Sequence, residues 1–301
     1  MSDTSYLSWP FFEEHHRTLA STLDAWAEQH MTALTINEHE DLDGTCITLV
    51  RALGDAGFTG YAVPASGGGN HEKLDVRTLC VIRETLARHS ALADFAFAMQ
   101  GLGSGPISLY GSEQQQTHYL NAVALGQKIS AFSLSEPNAG SDVAAMTCAA
   151  ERDGDEWVLN GTKTWISNAG IADFYTVFAR SSDAGGAKGI SCFIVEAGTP
   201  GFEVTERIDL IAPHPLGTLQ FSNCRIPAQN LVGEEGRGFG IAMATLDVFR
   251  STVAAAALGM ARRALDETLD YTADRDIFGG KLGDLQPVSY THLRAHETRI
   301  H

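Results

Sequence analysis

The sequence predicts an α+β fold in three parts: an all-helical N-terminal domain, a small central β-domain of barrel or sandwich type, and an incomplete C-terminal helical bundle. Three observations support this prediction. Apolar residues recur at helical spacing up to residue 129, and from Ile129 they form short runs that turn residues separate. From Ile241 the helical spacing returns. We therefore expect domains at 1–129, 130–240 and 241–288, followed by a tail at 289–301.

The N-terminal part is predicted to hold several helices. Leu79, Ile82 and Leu86, for example, share one helix face. Ser112 with Gln115 three residues later has the pattern of a capping box, which predicts a helix start. We expect the glycine clusters at 67–69 and 101–105 to separate helices, because glycine disfavours helical backbone.

Turn signals divide the central part into strands. Asp153-Gly154 lies between two extended runs and predicts a tight hairpin, and Asn160-Gly161 predicts a second turn. Further β-type runs cover residues 174–179, 190–195 and 219–221. These short strands within about 110 residues indicate one small β-domain.

The C-terminal part begins with one long predicted helix from Ile241 to about Ala273. Its apolar stripe is expected to be exposed as a patch, because most of the partner helices of a four-helix bundle are missing. The stripe consists of Leu246, Val253, Leu258 and Leu265. Ser289–His301 holds three histidines and no helical stripe. We interpret it as the translation of a sequencing adapter and expect the natural sequence to end near Val288.

Composition argues against several functional classes. The net charge of −16 argues against nucleic acid and anionic membrane surfaces as partners. The five cysteines are widely spaced in apolar contexts, so we expect reduced thiols and no metal site. Neither a signal peptide nor a membrane-spanning segment is predicted. We therefore expect a cytoplasmic protein.

Two clusters in the central part indicate a cofactor site. Phe132–Ser141 combines a short apolar strand, hydroxyl groups, a proline and a turn of small residues, through which backbone amides approach a ligand closely. In Gly161–Asn168, Trp165 and Ser167 are spaced by two, so we expect both side chains on one sheet face. Hydrogen-bonding groups beside an aromatic wall suit a planar polar heterocycle. The pattern predicts a flavin site.

These clusters, in this order of domains, resemble the acyl-CoA dehydrogenase family. The resemblance runs from about residue 10 to Val288. It is carried by four further motifs, which are Leu231–Phe239, Leu246–Arg250, Arg275–Gly279 and Leu285-Gln286. It implies an FAD-dependent enzyme that desaturates the α,β bond of an acyl-CoA thioester. It also implies that electrons pass to an electron-transferring flavoprotein and that the protein forms a homo-oligomer, either a dimer or a tetramer.

The resemblance assigns roles to individual positions. At the FAD it places Phe132, Leu134, Ser135, Gly140, Ser141, Trp165, Ile166, Ser167, Arg275, Ile277 and Gln286. The last three of these would reach the FAD of a neighbouring subunit. Ser141, Asp247 and Arg250 would contact the acyl-CoA substrate. Two positions have competing interpretations, since Trp165 also suits a core position and Arg250 also suits an ion pair with Asp247.

The catalytic base is the largest departure from the family pattern. Family members carry a glutamate either well beyond Gln286 or directly before the arginine of the long helix, where this chain has Phe249. The sequence therefore holds no predicted base, and we expect this chain to bind FAD weakly and to lack dehydrogenase activity. Smaller departures are Gly67 in place of an aromatic residue and the loss of basic residues at 212–216.

Other functions remain open within the same fold. An acyl-CoA oxidase, a nitroalkane oxidase or a flavin-dependent monooxygenase would use a similar flavin site. The residues Ser141, Asp247 and Arg250 favour a CoA ester, although oxidases share them. A third alternative is a fragment that only binds partners or does not fold.

Overall fold

The computed structural model describes residues 4–285. Along the chain, a group of helices comes first, the strands of an eight-stranded β-sheet follow, and a long helix and a two-stranded hairpin come last. The helices are α1 (Glu14–Leu34), α2 (Leu42–Asp55), α3 (Val76–His89), α4 (Ala91–Tyr110), α5 (Glu113–Gln115), a π-helical turn (Gln116–Leu120), α6 (Asn121–Ala124) and α7 (Gly238–Asp274). The strands are β1 (Ser130–Ser133), β2 (Ala149–Asp153), β3 (Glu156–Ser167), β4 (Phe174–Arg180), β5 (Ile190–Glu196), β6 (Phe202–Arg207), β7 (Leu216–Pro227), β8 (Leu231–Val232), β9 (Asp276–Ile277) and β10 (Gly280–Lys281). The predicted fold class is confirmed.

The loop between β1 and β2, which we call the excursion, leaves the sheet and returns to it at one edge of β4. Strands run in the order β6-β7-β3-β2-β4-β5-β8, and β1 also pairs with β4. Both β1 and β2 lie parallel to β4 on the same edge, β1 along residues 174–177 and β2 at Arg180. The intervening residues 134–148 therefore leave the sheet and return to the same edge. This excursion contains most of the first predicted flavin cluster.

A continuous apolar core joins the helices to the sheet. Leu23, Leu49 and Ile82 are fully buried between α1, α2 and α3, and the same cluster extends to Trp157 and Phe193 in the sheet. The capping box of Ser112 and Gln115 is present and begins α5, as predicted. A shared core of this kind holds the N-terminal helices at a fixed position relative to the sheet.

The glycine cluster 101–105 does not separate two helices, contrary to the prediction. It lies within α4, which continues to Tyr110. A Cβ at Gly101 would lie 2.4 Å from Phe249 of α7, and one at Gly103 would lie 2.5 Å from Ser130 of β1. These glycines are therefore close-packing positions, and tertiary contact overrides their low helix propensity.

We expect Gly101→Ala to destabilise the fold by about 1–3 kcal/mol, because the new methyl group overlaps the Phe249 ring. Gly240→Ala is the matched control, since a Cβ at Gly240 meets nothing within 4 Å. Its added helix propensity should stabilise α7 by up to about 1 kcal/mol. Urea unfolding of both variants checks this difference, and equal effects would contradict the packing assignment.

The predicted turn at Asn160-Gly161 is also wrong, whereas the Asp153-Gly154 hairpin is confirmed. Residues 160 and 161 lie inside β3, where the pairing with β7 shifts register. Gly161 has φ 142°, and a Cβ there would lie 2.7 Å from the Cα of Cys148. A β-bulge, which sequence patterns do not separate from a turn, explains the glycine.

The long predicted helix is confirmed as α7, which packs on α3 and α4. Of the predicted exposed stripe, Val253 and Leu258 are exposed, whereas Leu246 and Leu265 are partly buried. The mean hydropathy of an 18-residue window reaches 1.4, so α7 is long and apolar enough to cross a membrane, contrary to the prediction. By length and composition alone this is weak evidence, because the core helices of soluble proteins meet the same criterion.

Candidate active site

The two predicted flavin clusters meet at one cavity of about 540 Å³. Eight predicted cofactor residues line it: Phe132, Leu134, Ser135, Gly140, Ser141, Trp165, Ile166 and Ser167. We call these eight residues the cradle. They come from the excursion after β1 and from the end of β3, two segments that are more than 20 residues apart in sequence but adjacent in the fold. The remaining three predicted cofactor residues do not line this cavity.

A tight turn shapes the first side of the cradle. The amide of Glu136 donates to the carbonyl of Ala139 at 3.1 Å, and the amide of Ala139 donates back to Glu136 at 3.1 Å. Pro137 lies between them and needs no backbone partner. The turn leaves Gly140 and Ser141 exposed at the cavity rim. A polar ligand therefore has access to these small residues.

Trp165 forms the second side in a strained conformation. Its φ is 59°, a value that bulky residues rarely adopt, and its side chain is 58% exposed. The register of β3 against β7 shifts between Lys163 and Ile166, which breaks the expected alternation. The competing interpretation of Trp165 as a core residue is therefore wrong. The structure holds an exposed indole beside Ser167 on the cavity wall, as a functional site commonly does.

The opposite wall of the cavity is apolar and was not predicted. It consists of Met99 and Leu102 of α4 with Phe239, Met243 and Leu246 of α7. The spacing of the three α7 residues, i, i+4 and i+7, is a helix-face signal that sequence reading missed. The cavity thus combines polar groups on the cradle side with an apolar surface opposite, which is typical of small-molecule sites.

A buried ion pair lies behind the cradle. The Lys163 ammonium donates to Glu136 Oε1 at 2.8 Å and to the Leu134 carbonyl at 3.0 Å. Burial raises the pKa of the Glu136 carboxyl, but Lys163 and the amides of Thr147 and Cys148 outweigh it and hold that pKa below its usual value. These contacts favour the ionised carboxylate, and Glu136 is buried and does not line the cavity, so it does not face a substrate there.

The predicted substrate residues Asp247 and Arg250 lie one turn beyond the cavity wall on α7. Both are exposed and form an ion pair with each other, as the competing interpretation expected. Neither lines the cavity, although their neighbour Leu246 does.

The predicted residues at the end of α7 lie far from the cavity. Arg275 hydrogen-bonds the Tyr271 hydroxyl, and Ile277 belongs to the short hairpin of β9 and β10. At 1.5 Å per residue, Arg275 lies roughly 40 Å along the helix from Leu246. Gln286 falls outside the described residues. Arg275 and Ile277 therefore do not line the cavity of their own chain.

The position that carries the base in some relatives holds a core residue. Phe249 is 5% exposed, and its ring fills the space beside Gly101 and Gly105. Asp142 is the one acidic residue among those that line the cavity in the described range, and it is exposed at the rim. Its side chain makes no capping hydrogen bond to the turn that follows.

The sequence predicts no metal ligands, but the structure brings together one cluster of residues that could hold a metal ion. Within residues 4–285, His15, His16 and Asp75 have potential ligand atoms within 4.8 Å of one another. His16 is buried, with Nδ1 accepting from the Glu13 amide and Nε2 contacting Asp75 at 3.1 Å. These bonds join the starts of α1 and α3.

Comparisons with known proteins identify the family of the chain. Residues 13–127, 131–224 and 236–298 match family models of the N-terminal, middle and C-terminal domains of acyl-CoA dehydrogenase. The last match extends into the segment that the sequence identifies as a tail. Probable acyl-CoA dehydrogenase FadE25 of Mycobacterium tuberculosis is 38% identical over 279 residues, which covers 92% of this chain and 71% of that protein.

Solved structures show the same fold. Butyryl-CoA dehydrogenase from Megasphaera elsdenii aligns with a TM-score of 0.86 at 32% identity, covering 95% of this chain and 76% of its own. A chain from a study of the electron transferring flavoprotein of Acidaminococcus fermentans aligns with a TM-score of 0.87 at 32% identity, covering 95% and 75%. The chain belongs to the acyl-CoA dehydrogenase family, whose members are FAD-dependent oxidoreductases.

Proposed function

We propose that the cradle binds the isoalloxazine ring of FAD and that the cavity binds a short-chain acyl-CoA thioester, the substrate that the parent protein would desaturate between its α and β carbons. The observation that carries this proposal is the convergence of eight of the eleven predicted cofactor residues on one cavity with an apolar opposite wall. The residues fit the cofactor, because Ser135 and Ser167 offer hydroxyl groups and Trp165 offers an aromatic face. The oxidase and monooxygenase alternatives are not favoured, since FadE25 and butyryl-CoA dehydrogenase both carry the names of dehydrogenases.

Different side chains around the cavity would bind the flavin ring and the acyl chain. FAD supplies hydride acceptance when it is bound. Trp165 covers the cradle side and limits the access of water, while Ser135 and Ser167 are placed to hydrogen-bond a polar ring edge. Met99, Leu102 and the α7 residues opposite provide an apolar surface for the acyl chain.

We propose a short acyl chain because the apolar path for it ends near Met99. Met99 lines both the cavity and a neighbouring cavity of about 600 Å³. The neighbouring cavity is more polar, because Arg83, Asp94 and His214 line it. An alkyl chain that passes Met99 would meet these polar groups, so the apolar path is short. The similarity to butyryl-CoA dehydrogenase supports the same size class.

Further proposals concern assembly and partners. We propose Asp247 and Arg250 as contacts for the CoA portion at the cavity entrance. Arg275, Ile277 and Gln286 are proposed to reach the FAD of a neighbouring subunit in a homo-oligomer, which the distance of Arg275 from the cavity supports. An electron-transferring flavoprotein is the proposed electron acceptor and the cytoplasm the proposed location. The helical and β-type ranges support domain boundaries at 1–129, 130–240 and 241–288.

The experiment that tests this function separates binding from chemistry. We expect FAD to bind weakly and butyryl-CoA to perturb the spectrum of the bound flavin. We expect no anaerobic bleaching, because no residue among 4–285 is proposed as the base. A chain without any affinity for FAD would contradict the cradle. Bleaching by butyryl-CoA would instead place a base in this chain, with Asp142 as the residue to replace first.

A further inference from the structure

The ion pair of Lys163 and Glu136 is almost completely buried. The Lys163 side chain is 0% exposed and that of Glu136 is 4% exposed. Neither residue lines the cavity, so neither touches a ligand there. Burying two charges is costly, and such a pair is seldom more stabilising than apolar residues of the same size. Its presence behind a binding site therefore requires a reason other than stability.

The pair connects the three segments that surround the cradle. Glu136 accepts hydrogen bonds from the Thr147 amide at 2.7 Å, the Thr147 hydroxyl at 3.0 Å and the Cys148 amide at 2.9 Å. Lys163 belongs to β3, two residues before Trp165. Through Leu134, it also holds the first residue of the excursion that leaves β1. The pair thus fixes the beginning and the end of residues 134–148 to the second side of the cradle.

The hydrogen bond to Leu134 sets the direction of one peptide unit. The carbonyl and the amide of a trans peptide point in opposite directions. The Leu134 carbonyl points to Lys163, which does not line the cavity, and the Ser135 amide points the opposite way from a residue that does line it. The Ser135 carbonyl is held separately by the Thr164 amide at 3.0 Å. Within residues 4–285 the Ser135 amide has no hydrogen-bond partner of its own.

We propose that Lys163, anchored by Glu136, is a positioning residue that directs the Ser135 amide at the polar edge of the flavin ring. The adjacent ammonium group also polarises this peptide unit and strengthens the amide as a donor. The inference rests on the proposed FAD site and names a residue that determines its affinity without contacting the cofactor.

The first test is Lys163→Met, which keeps the length of the side chain and removes the donor and the charge. FAD affinity, measured by isothermal titration, is expected to fall about tenfold, as for the loss of one hydrogen bond to a ligand. The visible absorption band of bound FAD is expected to shift, because the ring loses a donor. Lys188→Met is the matched control at an exposed lysine and should leave both unchanged.

The double variant Lys163→Met/Glu136→Gln separates positioning from stability. It leaves no unpaired buried charge, so it should regain much of the stability that Lys163→Met loses. FAD affinity should stay low, since the Leu134 carbonyl still lacks its donor. Recovery of FAD affinity together with stability would show that the pair only supports the fold and would overturn the inference.

A measurement without FAD keeps this test independent of the proposed function. Hydrogen–deuterium exchange of residues 132–141 should be faster in Lys163→Met than in the unchanged chain and in Lys188→Met. An unchanged chain that binds no FAD would contradict the proposed function, and the exchange data would still decide whether Lys163 holds the segment. Equal exchange in all three proteins would contradict the inference.

Discussion

Replacing Trp165 with glycine is expected to weaken FAD binding by about 2 kcal/mol, roughly thirtyfold, without loss of stability. The indole is 58% exposed on the cavity wall, so a bound ring would cover on the order of 100 Å² of it. The apo fold has little to lose, because this surface is already open to solvent. At φ 59° glycine also avoids the steric strain that tryptophan carries.

The measurement pairs titration of FAD with urea unfolding of the FAD-free chain. Unfolding free energy should stay constant or rise by up to about 1 kcal/mol, the usual range for relief of such strain. Trp165→Phe keeps both the aromatic face and the strain, so it should bind FAD at an intermediate affinity. A large loss of stability with unchanged FAD affinity would restore the interpretation of Trp165 as a core residue.

Arg83→Met is expected to have the largest effect on stability, about 3–5 kcal/mol at neutral pH. Arg83 donates to both carboxylate oxygens of Asp94 at 2.8 and 2.7 Å and to the Thr252 hydroxyl at 3.0 Å. It thereby joins α3, α4 and α7 at one buried point. The substitution leaves the Asp94 carboxylate buried without its partner, which costs more than the pair contributes.

The loss of stability in Arg83→Met should grow as pH rises. Burial raises the pKa of Asp94, which the hydrogen bonds from Arg83 only partly offset, and removing Arg83 raises it further. A carboxyl whose pKa is raised by folding favours the folded state at low pH and opposes it as pH rises. Arg83→Met should therefore be least destabilised near pH 4 and increasingly destabilised above it.

Two controls accompany Arg83→Met in urea unfolding at several pH values. Arg83→Met/Asp94→Leu removes both charges and should recover most of the loss. Arg263→Met breaks an exposed pair with Glu267 and should change stability by about 0.5 kcal/mol at most. Equal losses in Arg83→Met and Arg263→Met, or a loss that does not vary with pH, would show that Asp94 is not left unpaired.

Local patterns predicted the fold class and the two clusters, whereas the individual cradle residues were assigned by the family resemblance. Helical spacing identified α7. Trp165 and Ser167 both line the cavity, but the register shift between Lys163 and Ile166 breaks the alternation from which one sheet face was predicted. The apolar wall of Met99 and Met243 was missed, because it forms only where α4 and α7 cross. The same holds for Gly101, whose neighbour in space is 148 residues away in sequence. Local propensity reads such a glycine as a helix break.

The face of α4 formed by Gly101, Gly103 and Gly105 also bears on how the chain unfolds. Gly103 lies against β1, and Gly105 and Gly101 lie against α7, so one helix is in backbone-close contact with both neighbouring parts. Opening either contact exposes a groove that no side chain of α4 covers, which raises the free energy of any partly unfolded state. We therefore expect the parts that look separable along the sequence to unfold as one cooperative unit, in which the cradle is lost together with α4.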